Sequence, residues 1–210
     1  MRIEVKNVSK TIKKNVILKN VNMHFESGHI YGFVGSNGSG KTVMMRILCG
    51  LIDVTNGTIM VDGKTMHFGK DLYYPMGVII EKPEFFDEQT GMNNLRTLAQ
   101  IRKVIGDQEI ADSMRIVGLD PQNNKRVKAY SLGMRQRLGL AQAIMEDPAV
   151  LILDEVTSAL DDEGVKMCRE VLLKEKEKGK LIIISSHNKA DIEALCDELY
   201  LFKNQEVTRL

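Results

Sequence analysis

The sequence predicts an α/β fold with a mainly parallel sheet, a β-rich N-terminal part and a helical segment inserted into the core. Three observations predict it. A glycine-rich loop, Gly35-Ser36-Asn37-Gly38-Ser39-Gly40-Lys41-Thr42, separates a short apolar run from a helix-like stretch. Two apolar runs of strand length, residues 150–153 and 181–185, flank a helical stretch at 165–178, the βαβ rhythm that yields parallel strands. Residues from about 85 to 145 carry helical periodicity instead, broken by Gly106, Gly118 and Pro121. The 210 residues suit one large domain, or one domain with a subdomain, and 43% hydrophobic with 27% charged residues is a globular composition.

Taken in order, Met1-Arg2-Ile3-Glu4-Val5-Lys6 alternates like an edge strand and lacks the apolar core of a signal peptide. Residues 3–5, 21–25 and 59–61 are strand-like, punctuated by Gly28, Asn56-Gly57 and Asp62-Gly63, and the glycine-rich loop sits among them. Ile30-Tyr31-Gly32-Phe33-Val34 predicts a short buried strand, and residues 43–49 a helix. A further strand ends near residue 80, and helices follow over 92–102 and 109–117. Ser131 reads as the N-cap of a helix running toward Met145. The twelve methionines fall mostly on apolar helix faces, where methionine fills core gaps.

Composition excludes several classes. A formal net charge of +1 gives no electrostatic case for a nucleic-acid partner. No apolar run approaches the ~18 residues that span a bilayer, so any membrane part belongs to another chain. Cys49, Cys168 and Cys196 are odd in number and far apart, which suits free thiols in a reducing cytoplasm and not a metal or redox pair.

The glycine-rich loop fits G-x-x-x-x-G-K-[ST], a phosphate cradle. Its glycines permit the close backbone approach, and its successive N–H groups converge on phosphate oxygens. Lys41 reaches the β- and γ-phosphates of a nucleotide, and the Thr42 hydroxyl is a ligand for Mg²⁺. A strand before the loop and a helix after it place the phosphates at a helix N-terminus. Asp154 and Glu155 emerge at the C-terminal end of an apolar strand, the edge where open α/β sheets bind ligands. Asp154 is placed to hold the Mg²⁺ shell and Glu155 to act as general base on a water. His187 follows the next apolar strand at the same edge, in reach of a γ-phosphate or a water. Tyr130-Ser131-Leu132-Gly133-Met134-Arg135-Gln136-Arg137-Leu138 supplies a second helix N-terminus able to meet an anion.

In this order, the phosphate loop, the 130–138 segment, Asp154-Glu155, Ser158-Ala159-Leu160-Asp161 and His187 resemble the nucleotide-binding subunit of an ATP-binding cassette (ABC) transporter over essentially the whole chain. The resemblance implies a P-loop NTPase core with an N-terminal antiparallel β subdomain, and one domain over 1–210 with a helical subdomain at about 85–145. It implies ATP and Mg²⁺ as cofactors, and a head-to-tail pair of cassettes. Ser131 and Gly133 would then contact the γ-phosphate held by a second ABC subunit. Asp161 would lie in the segment that communicates between the two sites, and His187 would hold the γ-phosphate. A separate integral membrane permease would be the partner, with the cassette peripheral on the inner face of the cell membrane.

Several residues depart from the family pattern. Glu81 stands where the family usually has a glutamine beside Mg²⁺, and Gln89 is too far along to replace it. Glu81 either adds a hard oxygen ligand to the metal or simply pairs with Lys82 or solvent. Leu132, Met134 and Val156 replace the usual glycine, glutamine and proline, and Ile12 stands where an aromatic residue usually stacks on adenine. Glu81 together with Ser131-Leu132-Gly133-Met134 resembles cassettes of bacterial peptide-antibiotic exporters, of the bacitracin-resistance and lantibiotic-immunity type. Phe85 and Phe86 would be either permease contacts or core residues. The alternatives are a soluble cassette without a transport role, such as a cofactor-assembly ATPase, and a nucleotide-binding regulator that does not hydrolyse. Lys41, Thr42, Asp154, Glu155 and His187 together favour hydrolysis.

Overall fold

A computed structural model describes residues 1–69 and 74–210. The chain begins with a hairpin of β1 (Arg2–Ile12) and β2 (Asn15–Glu26), turned at Lys13 and Lys14, both with positive φ. β3 (Ile30–Val34), α1 (Lys41–Leu48), β4 (Asn56–Val61), β5 (Lys64–Thr65) and β6 (Met76–Ile79) follow. Then come α2 (Gly91–Arg102), α3 (Asp107–Ile116), a 3₁₀ turn (Val127–Ala129) and α4 (Leu132–Ile144). β7 (Val150–Asp154), α5 (Asp162–Glu177), β8 (Leu181–Ser185), α6 (Lys189–Leu195), β9 (Glu198–Lys203) and β10 (Glu206–Arg209) complete it.

These strands make two sheets. An antiparallel one runs β2-β1-β4-β5, and a six-stranded one runs β10-β9-β3-β8-β7-β6. In the second, every pairing from β9 to β6 is parallel and only β10 is antiparallel. Two expectations are corrected here. β1 is not an edge strand, since Ile3 pairs with Phe25 on one side and Val61 on the other. Alternation reports that one face is buried and is silent about lateral neighbours. The glycine-rich loop does not sit among the antiparallel strands, because β3 lies inside the parallel sheet.

The parallel strands are buried on both faces, which is why they read as continuous apolar runs. Leu151, Leu153, Ile182 and Ile184 pack toward the helices α2 to α5. Val150, Ile152, Leu181 and Ile183 pack the other way, against Met44, Met45, Ile47 and Leu48 of α1 and against Ile3, Val5 and Phe25 of the antiparallel sheet. Cys49 and Cys168 are buried free thiols, each pushed up to about 12 by burial.

Helices α2 to α4 form the insertion between β6 and β7. Thr90 caps α2 through Asn93 N at 3.2 Å, and Ser131 caps α4 through Met134 N at 3.2 Å. Buried Asn94 accepts from Phe86 N at 2.7 Å and donates to Phe86 O at 3.1 Å, fixing the entry to α2. The two phenylalanines are thereby divided: Phe85 packs on the core and Phe86 is 59% exposed.

Candidate active site

Register in the parallel sheet assembles the site. Asp154 pairs with Ser185 across β7 and β8, and Phe33 pairs with Ser185 across β3 and β8. The three strands therefore end level, and the loops that leave them meet at one edge. A cleft of about 330 Å³ opens there, lined by Asn37, Gly38, Ser39, Gly40, Lys41, Thr42, Asp154, Glu155 and His187 together with Ile17 and Val43.

The loop's backbone demands glycine where the chain turns. Gly35 has φ +148, and a Cβ there would lie 2.5 Å from Phe202 O; Gly40, at φ +106, is the N-cap of α1 and offers no side-chain cap. The first turn of α1 also holds no acidic residue, so its N–H groups and positive dipole end are directed at the cleft uncompensated. Lys41 is 7% exposed and donates to Gly35 O at 2.7 Å and Ser36 O at 3.1 Å. Burial lowers the pKa of its ammonium, opposed by the neighbouring carboxylates of Glu155 and Asp154. Ser39 Oγ is a buried polar atom with no hydrogen-bond partner. An unpartnered hydroxyl, a buried lysine and an open helix N-terminus together fit a polyanion.

Asp154 is 6% exposed and accepts from two hydroxyls, Thr42 Oγ1 at 2.7 Å and Ser185 Oγ. Among the described residues no cluster of three His, Cys, Asp or Glu side chains could hold a metal. One hydroxyl and one carboxylate at hydrogen-bond distance do fit Mg²⁺, which keeps several waters and takes few protein ligands beside phosphate oxygens. Glu155 has left-handed backbone, φ 52, and its N–H donates to Ser185 O at 3.2 Å and Ser185 Oγ at 3.1 Å. Glu155 Oε1 is buried and accepts no hydrogen bond; His187 Nε2 stands 3.4 Å from it, a charge contact without hydrogen-bond geometry.

Other expected site residues lie elsewhere. Ser131 and Gly133 do not line the cleft: they begin α4, where Leu132 is 57% exposed. Asp161 caps α5 through Gly164 N at 2.9 Å and pairs with Arg137 of α4 at 3.2 Å, so it joins that helix to the segment after Glu155. Ile12 is 39% exposed at the end of β1 and does not line the cleft, whose aliphatic residues are Ile17 and Val43. Glu81 does not line the cleft either. At φ 63 its side chain turns to Arg46 of α1, at 2.7 Å, and not to Lys82 or the metal ligands. With Glu81 held there, Glu81→Gln is expected to move the Mg²⁺ midpoint of ATP turnover by less than about fivefold, the scale of an exposed ion pair. A larger shift in the metal titration would return Glu81 to the metal.

Comparison with known proteins points to one family. The family model described as ABC transporter matches residues 18–158. An uncharacterized ABC transporter ATP-binding protein of Bacillus subtilis (strain 168) is 47% identical over 93% of this chain and 89% of its own length. A bacitracin transport ATP-binding protein of Enterococcus faecalis is 38% identical over 93% of this chain, which spans 64% of that relative. A solved structure described as a dimeric ATP-binding cassette in a post-hydrolysis state, bound to ADP and Pi, superposes with TM-score 0.86. It is 24% identical and covers 99% of this chain and 97% of that one, a likeness of fold.

Proposed function

This chain belongs to the ABC transporter family as one of its ATP-binding ATPases, and on that premise we propose that it works as one of two cassettes driving a separate membrane permease that exports peptide antibiotics or similar amphipathic compounds. The observation that carries the reading is the meeting of Lys41, Thr42, Asp154, Glu155 and His187 at one sheet edge, in front of an uncapped helix N-terminus. The bacitracin transport relative and the residues Glu81 and 131–134 support the peptide-export class.

In the proposed cycle Lys41 leaves its loop carbonyls to pair with the β- and γ-phosphates, while the loop N–H groups and Ser39 bind phosphate oxygens. Mg²⁺, held by Thr42 and through water by Asp154, would screen phosphate charge. Glu155 Oε1, a buried acceptor with no partner, takes the proton of the attacking water. His187, 52% exposed beside it, is placed to hold the γ-phosphate oxygen and keep that water in line. Ser131 and Gly133 stand at an exposed helix N-terminus away from the chain's own cleft, so they would complete the cleft of a second subunit.

That arrangement predicts turnover per chain that rises with protein concentration. It also predicts that Lys41→Ala and Ser131→Arg chains, each inactive alone, recover turnover when mixed, because one composite site in the mixed pair is intact. Turnover independent of concentration, with no recovery on mixing, contradicts the paired cassette. The permease is tested by affinity capture from membranes: a polytopic membrane protein is expected, and exclusively soluble partners favour a cofactor-assembly ATPase. The same capture tests the expected location on the inner face of the cell membrane. No helix among the described residues is long and apolar enough to cross a membrane.

A further inference from the structure

Behind the cleft lies a carboxylate that the chemistry above does not use. Asp191, in the first turn of α6, is 1% exposed. Its Oδ2 accepts from Thr157 Oγ1 at 2.6 Å and from Ser186 Oγ at 3.0 Å. Its Oδ1 accepts from Arg169 Nε at 2.8 Å and Nη2 at 2.5 Å, a fork from α5 that balances the buried charge. Thr157 lies two residues after Glu155, and Ser186 immediately precedes His187. Ser186 Oγ also accepts from Asn188 N at 3.0 Å, so the chain is held on both sides of His187.

Past the bonds from Glu155 N–H to Ser185 the ladder stops, so the sheet anchors the Glu155 backbone but does not pair the loop residues beyond it with those that follow Ser185. Glu155 and His187 sit in those loops with no direct hydrogen bond between them. We propose that Asp191 is a positioning residue that fixes the separation of Glu155 from His187, by tying Thr157 and Ser186 to one buried carboxylate. The inference rests on the ATPase reading. Hydrogen bonds from hydroxyls to a buried charge are short and directional, so they transmit position as well as stability. A misplacement of about 1 Å at a reacting group is enough to lose much of the rate.

Asp191 itself is a poor probe, because removing it strands the Arg169 guanidinium and confounds turnover with folding. Its two hydroxyl donors are better. Steady-state ATP hydrolysis by the full chain, with a fluorescent ATP analogue to measure binding, separates kcat from affinity. Thr157→Val and Ser186→Ala are each expected to lower kcat roughly tenfold to a hundredfold with KM for ATP unchanged. The double variant is expected to be no worse than the poorer single one, since both act through one carboxylate. Thr157→Ser keeps the hydroxyl and is expected to recover turnover to within about threefold of the parent, while Thr157→Val keeps the volume and does not. A pure packing role predicts the opposite order. Parental kcat in Thr157→Val, or Thr157→Ser no better than Thr157→Val, overturns the positioning role alone. A parent chain that does not hydrolyse ATP overturns the ATPase reading and this inference with it.

Discussion

Glu155→Gln is expected to abolish multiple turnover, with kcat falling by about 10²- to 10³-fold while ATP binding is retained. Glutamine has the shape of glutamate, so the left-handed backbone at φ 52 and its two contacts to Ser185 are preserved. The groups assigned to the phosphates, Lys41 and Ser39, and to Mg²⁺, Thr42, are untouched. What disappears is the basic oxygen, a buried acceptor in the cleft without a partner. An enzyme that binds without hydrolysing accumulates its ATP-bound form, so a dimer dependent on ATP should appear by size-exclusion chromatography. Normal turnover in this variant would falsify the assignment of Glu155 as the base.

Gly77→Ala is expected to destabilise the protein by about 3 kcal/mol or more, at the upper end of the cost of overpacking because the clash is with backbone. A Cβ on Gly77 would lie 1.8 Å from Ala143 O and 2.7 Å from Ala143 C. Both are backbone atoms of α4, so no side-chain rotation relieves the clash and either β6 or the helix must move. Gly139 makes the reciprocal contact one turn earlier on α4, where a Cβ would meet Pro83 at 2.9 Å. For a chain of this length the loss corresponds to a melting temperature lower by about 10 °C, measured by thermal unfolding. Displacement of α4 would also misdirect Ser131 and Gly133, so the residual folded protein should lose turnover more than ATP binding. A melting temperature unchanged within about 2 °C sinks the prediction.

Elements that bury both faces were the most legible. Residues 150–154 and 181–185 are apolar at every position but the last, and the helix between them carries its own cap at Asp161. Ser131 as the cap of α4 was equally plain, because capping is a local bond between near neighbours. β1 was misplaced as an edge strand because strand order is a long-range property. β9, β10 and α6 have no clear signal in the sequence. Their patterns are short, although Asn204-Gln205 between β9 and β10 is a two-residue turn with both φ positive and was open to being read as a hairpin.

Residues 37–42 of the loop, Asp154, Glu155 and His187, which the sequence proposes for the site, line one cleft because each follows a strand of the same sheet. Ile17 lines the cleft where the sequence points to Ile12, and no local pattern marks Asp191. An aspartate in the first turn of a short helix looks like a solvated dipole partner, and only its 1% exposure and four hydrogen-bond donors show otherwise.

The glycine-rich loop, the order of the reactive side chains and the family are properties of the chain itself, since each rests on residues adjacent in sequence. Two things were decided only in three dimensions. Strand register levels β3, β7 and β8, so that three separate segments share one cleft. Side-chain direction sends Glu81 to Arg46, and packing sets Ser131 and Gly133 outside this chain's own cleft. Sequence specifies which groups exist and which backbone each prefers. Distance between groups far apart in the chain is set by packing, and charge pairing and acid–base chemistry both depend on that distance.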